Sequence, residues 1–227
     1  MTICVIPARS GSKRLKNKNI KSFNGKPIIS YAIKIAKSSK LFSRIIVSTD
    51  CKKIKSIAEK YGAEVPFLRS KKLSDDYTIT ADVIIDAIKK ISSENCQYHF
   101  CIYPTTTLIS KFDLLRAFKK IKTQKSDLLL AVSEFNKNPL RALQIVKKNN
   151  IKFWNKKFAN FRTQDLPKFY KDSGSFYIYD TKSLFKNKGQ LTKNSTFYML
   201  NKKNSVDIDN IFDFKIAEYL YKVETKN

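Results

Sequence analysis

The run Ile3 to Ile20, ICVIPARSGSKRLKNKNI, joins two kinds of chain: an apolar, mostly β-branched stretch that ends at Ile6, and a loop that opens at Pro7. Past Pro7 the loop carries five cations, Arg9, Lys13, Arg14, Lys16 and Lys18, together with Ser10, Gly11 and Ser12, and no acid. A strand with no polar face predicts burial on both sides of a sheet. With Gly11 at its bend, the loop can aim backbone N–H groups and cationic heads at several phosphate oxygens together. Neither the G-x-x-x-x-G-K-[ST] nor the G-x-G-x-x-G spacing is present. The plain alternative is a solvated basic loop in a lysine-rich chain.

Working outward, helical and extended periods alternate. Pro27 suits the first turn of a helix running to about Ser38, with Ile28, Ala32, Ile35 and Ala36 on its apolar face. Ile45 to Val47 reads as a second strand, followed by helical spacing at Ile54, Ile57, Ala58 and Tyr61 that stops at Gly62. Val65 to Leu68 is expected as a third strand, Thr80 to Ile91 as a helix, and Phe100 to Tyr103 as a fourth strand. Ser110 with Asp113 spells a capping box for a helix to about Ile121, and Leu128 to Val132 is a fifth strand. Apolar strands separated by amphipathic helices describe an α/β fold with a mostly parallel sheet covered on both faces. Ligands in such sheets sit at the carboxyl ends of the strands, where the basic loop lies.

From Glu134 to Asp172 the rhythm breaks. Leu140 to Val146 and Ile151 to Phe161 read as short paired strands, and a loop with Arg162, Gln164 and Pro167 follows. The division expected is a core over 1–133, an excursion over 134–172, and a return to the core over 173–227. In the return, Ser175 to Tyr179, Thr196 to Leu200 and Ser205 to Asp209 read as strands, and Ile211 to Val223 as a closing helix.

Composition excludes several chemistries. The single histidine, His99, precedes an apolar strand and reads as structural, so a His-centred triad and a zinc cluster are both set aside. Cys4, Cys51, Cys96 and Cys101 lack C-x-x-C spacing and read as thiols in a reducing compartment. No apolar run approaches the roughly 20 residues of a membrane span, and no signal-peptide core follows Met1, so a soluble cytoplasmic protein with no membrane partner is expected. The net charge of +26 invites a nucleic-acid reading. It is discounted, because 38 of the 45 cations are lysines scattered over the chain and no nucleic-acid motif accompanies them. A broad positive potential would still steer anionic small molecules inward.

Asp207-Ile208-Asp209 places two carboxylates on one side of an extended segment and an isoleucine on the other. Two carboxylates plus substrate phosphates are the usual Mg²⁺ arrangement, although Asp209 or Asn210 as a helix cap is the simpler role.

The string Pro7-Ala8-Arg9, Gly11-Ser12-Lys13, Lys18-Asn19 resembles the amino-terminal signature of the CMP-sugar synthetases, the cytidylyltransferases that activate nine-carbon acidic sugars. Ser205 to Asp209 is similar to that family's closing metal motif, and Val132 to Leu143, Arg162 to Pro167 and Tyr170 to Tyr177 resemble its pseudaminic acid branch. Ser173 and Ser175 depart from that branch, standing where it has alanine and glutamine. The resemblance implies a Rossmann-like nucleotidyltransferase fold with a small projecting dimerisation subdomain, and hence a homodimer. It implies CTP and an acidic sugar as substrates and Mg²⁺ on Asp207 and Asp209. Nucleotide contacts would come from Ala8, Arg9, Ser10, Gly11, Ser12, Lys13, Lys18, Asn19, Arg69 and Thr80, with Arg9, Lys18, Asp207 and Asp209 catalytic. Tyr103, which stands where sialic-acid relatives have a glutamine, is expected at the sugar with Arg141, Arg162 and Gln164, an arginine being suited to bidentate pairing with a carboxylate. The rival classes are a D-x-D glycosyltransferase and a basic nucleic-acid-binding module.

Overall fold

The computed structural model describes residues 2–147 and 149–226. In β1 (Thr2–Pro7) alternate side chains go to opposite faces, Cys4 and Ile6 into one core and Val5 into another, all fully buried. The chain continues through a hairpin, β2 (Ser22–Phe23) and β3 (Lys26–Pro27), then α1 (Ile29–Ser39), β4 (Arg44–Ser48) and α2 (Lys52–Lys60). Next come α3 (Thr80–Lys90), β5 (Tyr98–Ile102), α4 (Lys111–Gln124) and β6 (Leu128–Glu134). The stretch between β6 and β9 holds β7 (Leu143–Lys147) and β8 (Asn150–Phe153), and β9 (Tyr170–Asp180), α5 (Thr181–Asn187), β10 (Ser195–Met199) and α6 (Ile211–Lys226) complete the order.

Six strands form the central sheet in the order β10-β6-β9-β5-β1-β4. Pairing is parallel except at β9, which runs antiparallel to both β5 and β6. Side chains of α1, α2 and α4 fill one face, among them Ile33, Ala58 and Leu114, while α3 and α5 cover the other with Ile84, Ile88 and Leu184. Each fully buried isoleucine contributes about 1.5–3 kcal/mol. A third core under α6 joins Phe214 and Ala217 to Phe23, Tyr31, Leu15 and Ile208. It ties the basic loop and the D-x-D segment to the same helix.

The helix foreseen from Pro27 starts instead at Ile29, because Pro27 belongs to the β2–β3 hairpin, turned by Asn24 (φ 45°) and Gly25 (φ 83°). Both positive φ values are those an Asn-Gly hairpin turn demands. Val65 to Leu68 is not a ladder strand. It follows the edge of β4 through isolated bridges at Glu64 and Leu68, since Pro66 has no N–H to donate between them. Ser205 to Asp209 likewise forms no ladder strand, and its end is held by Asp213 accepting from the Asp209 N–H at 3.0 Å. Strand β9 begins at Tyr170 rather than Ser175, with a break in register opposite Leu130 to Val132, so one strand leaves the excursion and enters the sheet.

The capping box of α4 forms as expected, Ser110 N–H donating to Asp113 Oδ2 at 2.7 Å. His99 is fully buried between Ser93 Oγ (3.0 Å) and Thr181 Oγ1 (2.8 Å), the structural role its position indicated. Burial lowers its pKa to about 4. Among the described residues no helix is long and apolar enough to cross a membrane.

Candidate active site

At the carboxyl ends of β1 and β5 lies a cavity of about 280 Å³. The basic loop forms one wall with Arg9, Ser12, Lys13, Arg14, Lys18 and Asn19; Arg69, Thr80 and Tyr103 form another, and Asp75, Asp76 and Asp209 stand at the rim. Leu15, buried in the middle of the loop, anchors it to the third core. Asn19 is buried and donates from Nδ2 to the Arg9 carbonyl at 2.8 Å. Asp50, just past β4, accepts from both the N–H (2.8 Å) and the hydroxyl (2.7 Å) of Ser10. The loop is therefore fixed from three sides.

These contacts sort the residues the sequence had singled out. Arg9, Ser12, Lys13, Lys18, Asn19, Arg69, Thr80, Tyr103 and Asp209 all line the cavity. Ala8 and Ser10 do not: Ala8 is buried with its N–H on the Ser48 carbonyl, and both donors of Ser10 are spent on Asp50. Gly11 is not a conformational necessity, since its φ is not positive, but a Cβ there would meet nothing within 4 Å. Thr80 does not cap α3. Its hydroxyl shares a hydrogen bond of 2.7 Å with the Tyr103 hydroxyl, and both residues line the cavity.

Arg69 is 94% buried, 6% of its surface remaining exposed, and its Nε and Nη2 have no hydrogen-bond partner. Burial and, more weakly, the charge of Arg9 lower its pKa, offset in part by Asp50 and Asp86. Arg69 lines the cavity while its Nε and Nη2 lie buried without an acceptor, and leaving such donors unpaired costs on the order of 1–3 kcal/mol or more.

The D-x-D segment behaves as alternation predicts, with Ile208 buried and both aspartates outward. Asp209 is held by Arg14 through two hydrogen bonds of 2.8 Å, and Lys18 reaches it at 3.4 Å while donating to the Ile208 carbonyl at 2.7 Å. Asp207 keeps an open face and has no hydrogen bond or ion pair among the described residues. Its pKa is raised, first by partial burial of the carboxylate, then by Asp209 and Asp172, with Lys18 and Lys171 opposing. Gly174 (φ +61°) seats it, for a Cβ there would lie 2.9 Å from Asp207 Cγ and Oδ1. Asp172 accepts from the Gly174 N–H at 2.9 Å and from the Tyr177 hydroxyl.

The carboxylates Asp207 and Asp209 offer only oxygen, and Asp207 has neither hydrogen bond nor ion pair to occupy it among the described residues. Among the described residues no group of three or more His, Cys, Asp or Glu side chains converges. A hard divalent cation shared with substrate oxygens fits this donor set; a protein-only metal cage does not.

Arg141, Arg162 and Gln164, expected at the sugar, are not brought to this cavity within one chain. Arg141 donates to the Phe161 carbonyl at 2.8 Å and lies over the Phe153 ring; Arg162 pairs with Asp165 at 2.7 Å beside exposed Gln164. All three sit between β6 and β9, where Ile145 (76% exposed) and Ile151 (65%) are cross-strand partners and Trp154 (71%) is also exposed. Roles for Asp50 and Gly174 had no signal in the sequence, because each acts on a residue distant along the chain, Ser10 and Asp207 respectively.

A covered, mostly parallel sheet whose first strand feeds a fixed cationic loop over a cavity with an unpaired arginine defines an α/β protein built to hold a phosphorylated nucleotide. Comparison with known proteins makes the class specific. The family described as Cytidylyltransferase matches residues 3–225. Over 223 residues the chain is 39% identical to Pseudaminic acid cytidylyltransferase of Campylobacter jejuni, covering 97% of this chain and 96% of that one. It is 36% identical to CMP-N,N'-diacetyllegionaminic acid synthase of the same species, covering 98% and 95%. A solved CMP:2-keto-3-deoxy-manno-octonic acid synthetase complexed with CTP shares the fold, with TM-score 0.74 at 14% identity over 98% of this chain and 99% of that one. The chain belongs to the cytidylyltransferase family and is a nucleotidyltransferase.

Proposed function

We propose that the protein transfers CMP from CTP to the anomeric hydroxyl of a nine-carbon acidic sugar, pseudaminic acid in preference, and releases pyrophosphate. The observation that carries the nucleotide half is the cavity itself, where the cationic loop and Arg69, a buried guanidinium with Nε and Nη2 free of partners, line one space. The sugar half rests on the 39% identity to the Campylobacter jejuni enzyme.

In this reading Arg9, Lys13 and Lys18 hold the triphosphate with Ser12, and Asn19 keeps the loop backbone in place. Arg69 donates to the nucleotide, and Thr80 orients Tyr103. Asp207 and Asp209 hold Mg²⁺, which when bound lowers charge on the α-phosphate and acidifies the attacking hydroxyl. The anomeric oxygen attacks the α-phosphorus in line as pyrophosphate leaves, so the chain's work is positioning and charge stabilisation. Tyr103, its hydroxyl engaged by Thr80, meets the sugar in this reading with an aromatic side chain and no amide. A ring in place of an amide favours a sugar with deoxy, methyl-ended character.

The exposed apolar hairpin β7–β8 supports a homodimer, since patches of this kind mark association surfaces. Arg141, Arg162 and Gln164 serve the sugar only through such a dimer, because in their own chain they lie apart from the cavity. Cytoplasmic placement accords with four free thiols.

Legionaminic acid is the second reading, favoured by the 36% identical synthase. Pyrophosphate release with pseudaminic, legionaminic, N-acetylneuraminic and 3-deoxy-manno-octulosonic acids separates them. The highest kcat/KM is expected for pseudaminic acid, and an equal or higher value for N-acetylneuraminic acid overturns the sugar assignment.

A further inference from the structure

Two of the cations assigned to the triphosphate are already neutralised. The Arg9 guanidinium meets Asp76 Oδ1 from Nη2 at 2.8 Å, and from Nη1 it donates to the Asp75 and Ser74 carbonyls. The ammonium of Lys13 pairs with the other Asp76 oxygen, Oδ2. One carboxylate thus uses both oxygens on two cations, in the manner of a phosphate bridging the same heads. Asp76 belongs to a loop with its own support: Asp75 Oδ1 accepts from the Thr78 N–H and hydroxyl, each at 2.7 Å, and from the Tyr77 N–H at 3.0 Å. The loop therefore has bonds of its own beside those that Arg9 makes to its Ser74 and Asp75 carbonyls.

We propose that Asp76 is a specificity residue that acts through Arg9 and Lys13: an internal anion that a polyphosphate must displace, so that it sets the affinity for ligands with β- and γ-phosphates and not for those without. This rests on the proposed function, in which Arg9 and Lys13 hold the triphosphate. A ligand that uses both cations exchanges one anion for another and gains only the difference. A nucleoside monophosphate that leaves these cations on Asp76 bears no such cost. Removing the Asp76 charge therefore tightens CTP and pyrophosphate and leaves CMP where it was. Carboxylate and product then compete for the same two heads, which also makes Asp76 an aid to pyrophosphate release.

The test is calorimetric binding of CTP, pyrophosphate and CMP, without sugar acceptor and at fixed Mg²⁺ and salt, to the full chain and to Asp76→Asn. Asparagine keeps the shape and an acceptor for Arg9 while dropping the charge. The expected result is about 3- to 10-fold tighter CTP and pyrophosphate, the range for loss of partly exposed ion pairs, with CMP changed less than about 2-fold. Glu59→Gln on α2, which removes the same charge away from the cavity, is expected to leave all three unchanged. Asp76→Ala should give the same order of ligands, and matching unfolding temperatures establish that each variant is folded. CTP binding that is unchanged or weaker in Asp76→Asn, or a shift shared equally by CMP, overturns the inference while the proposed function stands. Failure of the unaltered protein to bind CTP overturns both.

Discussion

Gly174→Ala should disable the enzyme from a position that presents no chemistry of its own. The residue sits at φ +61°, where an L side chain costs roughly 1–2 kcal/mol. The added methyl would also lie 2.9 Å from Cγ and Oδ1 and 3.1 Å from Oδ2 of Asp207, closer than carbon atoms in proteins approach one another. Asp207 is a short side chain, so it can relieve the clash only by rotating away, and the D-x-D pair is then no longer set for a shared cation. Displacement of a reacting group by about 1 Å costs on the order of 100-fold in rate. The expected outcome is kcat lowered by about 100-fold or more, a raised Mg²⁺ requirement, and a loss of stability of about 1–2 kcal/mol by urea unfolding. Initial rates at several Mg²⁺ concentrations, with unfolding on the same preparation, read all three. A folded Gly174→Ala variant with unaltered kcat and Mg²⁺ dependence would refute the seating of Asp207 by this glycine.

Arg69→Ala should lower kcat/KM for CTP about 10- to 100-fold through the loss of charge-assisted hydrogen bonds, and Arg69→Lys should recover little of it; a change under about 3-fold counts against the arginine as a nucleotide ligand. Acid stability should depend on His99. Its folded pKa of about 4 lies below the ordinary 6.5, so the unfolded chain takes up the proton first and stability falls as pH drops from about 6.5 toward 4. The loss reaches about 2 kcal/mol by pH 5. Urea unfolding at pH 7.5 and 5 should show this slope reduced in His99→Gln by a comparable amount, and an equal slope in both proteins contradicts the assignment. Light scattering should report twice 26.3 kDa for the unaltered chain and a monomer for Ile145→Glu in the exposed hairpin; an Ile145→Glu dimer would place the contact elsewhere.

Local sequence was informative where a residue acts on near neighbours or on water. The apolar run of β1, the capping box of Ser110 and Asp113 and the outward pair Asp207 and Asp209 all obey short-range periodicity, and each formed as its spacing predicts. Asn24-Gly25 carries an equally local hairpin signal, and it overrides the helix start that Pro27 suggests. At Val65 to Leu68 the composition is that of a strand, but Pro66 removes a ladder donor and the segment keeps only isolated bridges. The site's supports were not legible for a different reason. Asp50 reaches Ser10, Asp76 reaches Arg9 and Lys13, and Gly174 underlies Asp207, contacts that only the folded sheet creates. Arg141 and Arg162 were legible only by residue type, which suits a carboxylate ligand; within their own chain they lie between β6 and β9 with Phe161 and Asp165 as partners.

The transfer itself can be followed through one oxygen atom. Pseudaminic acid labelled with heavy oxygen at the anomeric hydroxyl, incubated with CTP and Mg²⁺, should yield pyrophosphate and CMP-sugar in equal amounts. In-line attack by that hydroxyl leaves the label in the bridge between sugar and α-phosphorus, where the phosphorus resonance of the product shifts. Labelled bridge oxygen with one pyrophosphate per CTP is the predicted result. An unlabelled bridge, or consumption of CTP to CDP and phosphate with no CMP-sugar, would contradict the account.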